Sequence, residues 1–230
     1  GSTPTADEFA AAKDYALAAL QHERLSDYYR ASGDYAGITF RTLGINDPAS
    51  VGADDLASVT LLGVSVSPRG VRHLISAGAH REAVHAALGA LAKAPDLRSA
   101  SAEDFVRMWD LHAAIKAAIA DPSSKDSNPW VTAAKLSARK YPALVAVRDN
   151  VVGGRLGNRA LRSAYIYWQL MRELLLDGDV ATALQGARER VERECAGDLQ
   201  SDFDNEPDLR LLDAAMWMHV ARPAGAKSQP

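Results

Sequence analysis

Residues 128–150 read NPWVTAAKLSARKYPALVAVRDN. Asn128-Pro129 makes a short turn, Trp130 to Lys140 carries the pattern of one amphipathic helix, and Pro142 opens an apolar run to Val147. A lone carboxylate, Asp149, closes the stretch beside Arg148. No other segment crowds so many residue types of chemical use into so short a length.

Outward from it the pattern is helical. Phe9, Ala12, Ala16, Leu17, Leu20 and Leu25 recur at helical spacing and predict one helix over Asp7–Arg30, stopped at Gly33. Tyr28, Tyr29 and Tyr35 cluster at that helix end and read as packing residues with wet hydroxyls rather than as a stacking platform. Residues 36–53 are rich in turn formers, and Asp54 to Val66, apolar nearly all round, predicts a central, buried helix. Helices are expected from Pro68 to Ala77, from His80 to Lys93, and from Ala102 to Ala120, the last capped by Ser101 with Asp104 three residues on. Ser123 to Pro129 breaks the pattern. Beyond the focal stretch, helices are expected over Asn158–Leu176, Val180–Cys195 and Leu209–Val220, with the acidic stretch Asp198–Asp208 as a solvated connector. Only Ala143–Val147 has strand character, and it is too short and isolated to make a sheet. The fold class expected is all-α, with about nine or ten helices and no internal repeat. One domain spans 7–220, divided into two helical lobes with a cleft near 128–162; residues 1–6 read as a tag or disordered start and 221–230 as a disordered tail.

Composition removes several function classes. With 230 residues, 47% of them hydrophobic, the chain can bury one large core, and a net charge of −3 provides no global basic field for nucleic acid. Cys195 is the only cysteine, which excludes internal disulfides and thiolate-rich metal sites and suits a cytoplasmic setting. No apolar run reaches membrane-span length, so no membrane partner is expected. His80 and His85 are off the spacing that puts two imidazoles on one helical face, so no metal is expected, nor is any other cofactor. Gly153-Gly154-Arg155-Leu156-Gly157, followed by Arg159 and Arg162, fits either a phosphate at a helix start or a hinge with a solvated basic face. Charge is uneven along the chain: Lys125 to Tyr165 carries a local +6 and Ile166 to Asp213 a local −7. The basic segment, 125–165, is thus the one able to face DNA, unless the two segments pair internally.

The stretch from Trp130 to Val152 resembles the helix-hairpin-helix DNA glycosylase superfamily. In that family a glycine-containing hairpin with a Thr-Ala pair starts a helix, and a later Pro/Val-rich run ends in a catalytic Asp. Here Thr132-Ala133 match the pair, Pro142 to Val147 the run, and Asp149 the catalytic position, 17 residues after Thr132. Ser127 and Pro129 stand where the family has hairpin glycines, and proline has no N–H to offer a phosphate. Val131 stands where bifunctional members carry a lysine, so the resemblance implies no Schiff-base lyase step. The chain is also similar to a family of uncharacterised actinobacterial proteins, through Asp54-Asp55-Leu56, Trp130 to Asp149, and Leu212-Asp213 with Trp217-Met218, which implies no activity.

The glycosylase resemblance implies a monofunctional N-glycosylase that flips a nucleobase out of the stack, with Asp149 stabilising the cationic sugar and orienting water. Asn128, Trp130, Thr132, Lys135, Arg139, Arg148 and Arg155 would then hold the nucleic acid. Asp149 can equally be a plain helix N-cap with Arg148 as a surface partner. Two other functions stay open: a relative that binds nucleic acid without cutting it, and a helical module for a protein partner.

Overall fold

The computed structural model describes residues 3–121 and 128–220. The expectations for Gly1-Ser2, for Lys125, Asp126 and Ser127, and for the 221–230 tail lie outside the described residues. Among these, thirteen α-helices and one 3-10 turn are present and no strand. The helices are α1 Ala6–Leu20, α2 Leu25–Tyr29, α3 Thr39–Thr42, α4 Ala53–Thr60, α5 Pro68–Ile75, α6 Ala79–Leu91 and α7 Ala102–Ile119. They continue with α8 Trp130–Lys140, α9 Asn150–Arg155, α10 Asn158–Arg162, α11 Ala164–Leu176, α12 Gly178–Glu194 and α13 Asp208–Val220; the 3-10 turn is Phe203–Asn205. The protein is all-α, as the periodicity predicts.

Local chemistry sets the helix starts. Thr5 and Glu8 close a reciprocal capping box on α1, Ser101 and Asp104 another on α7, and Ser67 caps α5 with Pro68 in its first turn. Two expected helices are each broken. The first helix ends at Leu20 and restarts at Leu25, and Asn158–Leu176 breaks at Ser163, whose side chain caps α11. Ala143–Val147 forms no strand: Leu144 and Val145 both turn their amides back to the Tyr141 carbonyl.

The central helix is not the expected one. Helix α4 stops at Thr60, and Leu61 beyond it is exposed. Instead α8 runs through the interior, with nine of its eleven residues buried, three of them cationic. Arg139 donates from Nε to Asp55 Oδ1 at 3.0 Å, and Lys140 donates to Asp55 Oδ2 at 2.8 Å. The remaining Arg139 donors go to the carbonyls of Phe40 (3.0 Å), Leu43 (2.6 Å) and Arg41. Asp55 is itself held as the partner of the Gly52 amide at the start of α4. A charge can be buried only when so completely paired.

Helices α5, α6, α7 and α8 pack chiefly on one another, with α4 against α8; α1 packs on α11, α12 and α13, and α9 on α10 and α13. One continuous apolar core joins both sets. The acidic connector is solvated only in part, at Ser201, Asp202, Asp204 and Asn205. Glu206 is buried against Arg41 (2.9 Å), Asp208 sits between Arg98 (2.6 Å) and Arg188 (3.0 Å), and the Asp198 side chain takes the Ser32 amide at 2.9 Å. The local positive and negative segments do not pair with each other among the described residues. The basic one pairs with Asp55 and Glu8; the acidic one pairs with Lys13, Arg30, Arg41, Arg98 and its own arginines.

Replacing Asp55 by Ala leaves two buried cations without their counter-ion, for which a loss of about 3–5 kcal/mol is expected. Urea unfolding followed by circular dichroism measures it; a shift no larger than that of a surface Asp→Ala control would show that the ion triad is dispensable.

Candidate functional site

Asp149 sits at the N-terminus of α9, where its Oδ1 accepts the amides of Val151 and Val152, both at 2.9 Å. That is a complete helix cap, and it uses one oxygen. Oδ2 has no hydrogen-bond partner among the described residues, and Asp149 is 7% exposed, on the wall of a cavity of about 310 Å³. The cap and the pocket carboxylate are therefore the same residue, not alternatives.

The cavity lies where irregular backbone from four parts of the chain meets α8 and α13. One wall is aromatic: Tyr28, Tyr35 and Trp217 form a corner, with ring centroids 6.1 Å apart for Tyr28–Tyr35 and 6.0 Å for Tyr35–Trp217. Beside it Gly37 has φ +50°, and a Cβ there would meet the Gln200 side chain at 2.3 Å. Only glycine suits both demands. Gln200 in turn accepts the Ile38 amide at 2.6 Å, which ties this wall to the acidic connector.

Lys135 enters from α8 and donates to the Leu62 carbonyl at 2.7 Å. Burial pulls its pKa down, and the Asp149 carboxylate opposes that shift. From α13 come Arg210 and Asp213. Arg210 donates Nε to Pro142 O (3.0 Å) and Nη2 to Val145 O (2.7 Å), and pairs with Asp213. Asp213 Oδ2 accepts the Val147 amide at 2.9 Å. Burial raises the Asp213 carboxyl to about 7; Arg210 and the Val147 amide work against the rise, and Asp149 adds to it. Glu206, also on the cavity wall, is raised by burial against the pull of Arg41.

Of the residues expected to form the site, the cavity gathers Asp149 and Lys135 alone. Arg139 is 0% exposed and wholly committed to Asp55 and backbone carbonyls, so it is not a phosphate ligand. Thr132 is buried within α8. Arg148 is not a surface partner of Asp149: its guanidinium lies 4.2 Å over the Trp130 ring and donates to Leu161 O at 2.5 Å. Asn128 and Arg155 are exposed. Arg159, on the glycine-flanked segment, pairs with Glu8 at 2.6 Å. Sequence reasoning missed Glu206 and Arg210, read Tyr28 and Tyr35 as packing residues, and noted Asp213 and Trp217 only as features shared with a family. A signal existed for three of them: Arg210, Asp213 and Trp217 fall at i, i+3 and i+7, a polar-aromatic stripe on one face of an otherwise apolar helix. Val131 is not the whole account of amines near the cavity either, since Lys135 follows one helical turn later on the same face.

A second hollow, about 520 Å³, opens at Val106, Trp109 and Arg162, but no carboxylate lines it. No group of residues able to hold a metal ion occurs among those described, and no described helix is long and apolar enough to cross a membrane. The model of a family of unknown function, DUF6308, matches residues 21–220. No curated protein and no solved structure matches the chain.

The Asp213 shift has a consequence for stability. The folded chain holds that proton up to about 7, whereas an unperturbed carboxyl releases it near 3.8. The stabilisation linked to the protonated group is therefore complete below 3.8, declines as pH rises, and is gone above about 7. Around Asp213 stand Arg210 on its own helix, Asp149, and the phenols of Tyr28 and Tyr167. Urea midpoints measured across this interval should fall with pH in the wild type and fall less in Asp213→Asn; parallel profiles would mean the carboxyl titrates normally.

Proposed function

We propose that this chain, which belongs to the DUF6308 family of unknown function, hydrolyses an N-glycosidic bond, with the base in the aromatic corner and Asp149 as the catalytic carboxylate. The observation that carries this is the divided role of Asp149. One oxygen is fixed by two amides, which orients the group, and the other is left free in a cavity of about 310 Å³ that also holds aromatic rings. A carboxylate so placed can stabilise the sugar as positive charge develops and can orient the attacking water. A cavity of this size suits a small planar ligand. The two sets of helices that meet there support the two-lobed, glycosylase-like architecture that the Thr132-to-Asp149 spacing resembles.

Lys135 keeps its amine on the Leu62 carbonyl, so water rather than Lys135 is the nucleophile in this scheme. The inward placement of Lys135, Arg139, Lys140 and Arg148 supports recognition through the base more than through the phosphate backbone. Binding to an oligonucleotide should accordingly show a shallow dependence on salt.

The experiment incubates the wild type and Asp149→Asn with oligonucleotides bearing modified bases and with free nucleosides, and measures released base by chromatography. Asparagine caps a helix about as well as aspartate, so the variant should fold with little change in stability. Base release should drop by roughly 10²–10⁴-fold. A wild type that releases no base from any substrate in the panel removes the hydrolase; activity retained in Asp149→Asn removes Asp149 from the chemistry. A covalent adduct trapped by borohydride would put an amine, not water, at the sugar.

A further inference from the structure

Two residues of the cavity wall each carry a buried polar atom that neither the fold nor the hydrolytic step uses. Arg210 commits Nε and Nη2 to Pro142, Val145 and Asp213, and its Nη1 is buried without a partner among the described residues. Asp213 receives both Val147 N and Arg210 on Oδ2, and its Oδ1 is likewise buried and unpartnered. Buried donors and acceptors are rarely left unmade, and such a pair points to a third participant. Both residues line the cavity, three positions apart on one face of α13, and Trp217 follows on that face one turn later. Tyr28 lies 6.4 Å from Trp217 between ring centroids, so a flat ring seated in this corner meets aromatic faces as well as the pair.

We propose that Arg210 Nη1 and Asp213 Oδ1 form the recognition edge for a nucleobase, Nη1 donating to a ring carbonyl or ring nitrogen and Oδ1 accepting the adjacent N–H. This deepens the hydrolase scheme, on whose pocket it rests, by naming the base as the recognised part and two specificity-determining residues for it. Arg210 is held in place by two backbone carbonyls and Asp213 by one amide, so both side chains are oriented before any ligand arrives. A planar donor–acceptor edge is what every nucleobase offers and what sugars and phosphates lack.

Calorimetric titration of the full chain with free uracil, cytosine and 1,3-dimethyluracil tests the edge, at a pH well above the value of about 7 where Asp213 gives up its proton. Uracil and cytosine should bind, and 1,3-dimethyluracil, which has no ring N–H, should bind roughly tenfold more weakly or worse. Asp213→Asn presents an NH₂ donor where Oδ1 accepted. Uracil should then be lost by a similar factor, while cytosine, with two adjacent acceptors, is retained. The melting temperature reports whether that variant is folded, and the wild-type comparison of uracil with 1,3-dimethyluracil does not depend on it. Equal affinity for those two ligands, no saturable binding of any base, or a folded Asp213→Asn that binds uracil like the wild type would each overturn the proposal. None of these readouts requires bond cleavage. Selective base binding without base release keeps the edge and removes the hydrolase; base release with indifference to the methyl groups does the reverse.

Discussion

Asp55 is the buried carboxylate on which the remainder of the fold hangs, because it lets a helix with three cations run through the interior. Arg139 and Lys140 share it, and the two terminal nitrogens of the guanidinium then reach the carbonyls of Phe40, Arg41 and Leu43. Loop backbone cannot be buried with its carbonyls unsatisfied. Here α8 supplies the donors, and Lys135 does the same for the turn after α4 through Leu62. Phe40 and Leu62 both line the cavity, so the cations of α8 hold two of its walls.

The opposite wall repeats the device from α13. Arg210 takes the carbonyls of Pro142 and Val145, Asp213 takes the amide of Val147, and Tyr167 of α11 donates to the Val147 carbonyl at 2.9 Å. The apolar run 142–147 is thereby held residue by residue, and it delivers Asp149 to the start of α9. The acidic connector closes the circuit. Glu206 binds Arg41, whose backbone carbonyl is in turn a partner of Arg139, while Arg188 gathers the Phe203 and Glu206 carbonyls and Asp208. A pocket made of irregular backbone can thus be preformed, since each strand of loop is fixed by a helix-borne side chain.

Much of this was legible in the chain and some was not, for identifiable reasons. Helix existence followed from periodicity and caps, as at Ser101–Asp104 and Ser67–Pro68. Breaks at Leu20 and Ser163 did not, because the apolar spacing continues across them. The apolar run after Asp54 looked central only because one-dimensional hydrophobicity ignores how far a helix extends; Leu61 falls beyond its end. Asp149 was legible as a helix cap, and the cap occupies a single oxygen, which leaves the other over the cavity. The basic segment misled most. A count of charges along the chain says nothing of direction, and Arg139, Lys140 and Arg148 point inward. Tyr28, Tyr35 and Trp217 meet only through tertiary folding, across nearly the whole chain.

Buried charge therefore appears in two states here, and the difference separates scaffold from site. Asp55 uses both oxygens, and Arg139 uses all three nitrogens. Nothing is left over, and a ligand could compete for them only by breaking the fold. Asp149, Asp213 and Arg210 are each satisfied through part of the group and bare through the rest: Oδ2, Oδ1 and Nη1. The bound half supplies orientation, and the bare half supplies affinity that no protein group has taken. Two of these bare atoms, Asp213 Oδ1 and Arg210 Nη1, are buried, where an unmade hydrogen bond is expensive to maintain. Their convergence on a space bounded by aromatic rings is the physical ground for placing the chemistry there rather than on the basic face.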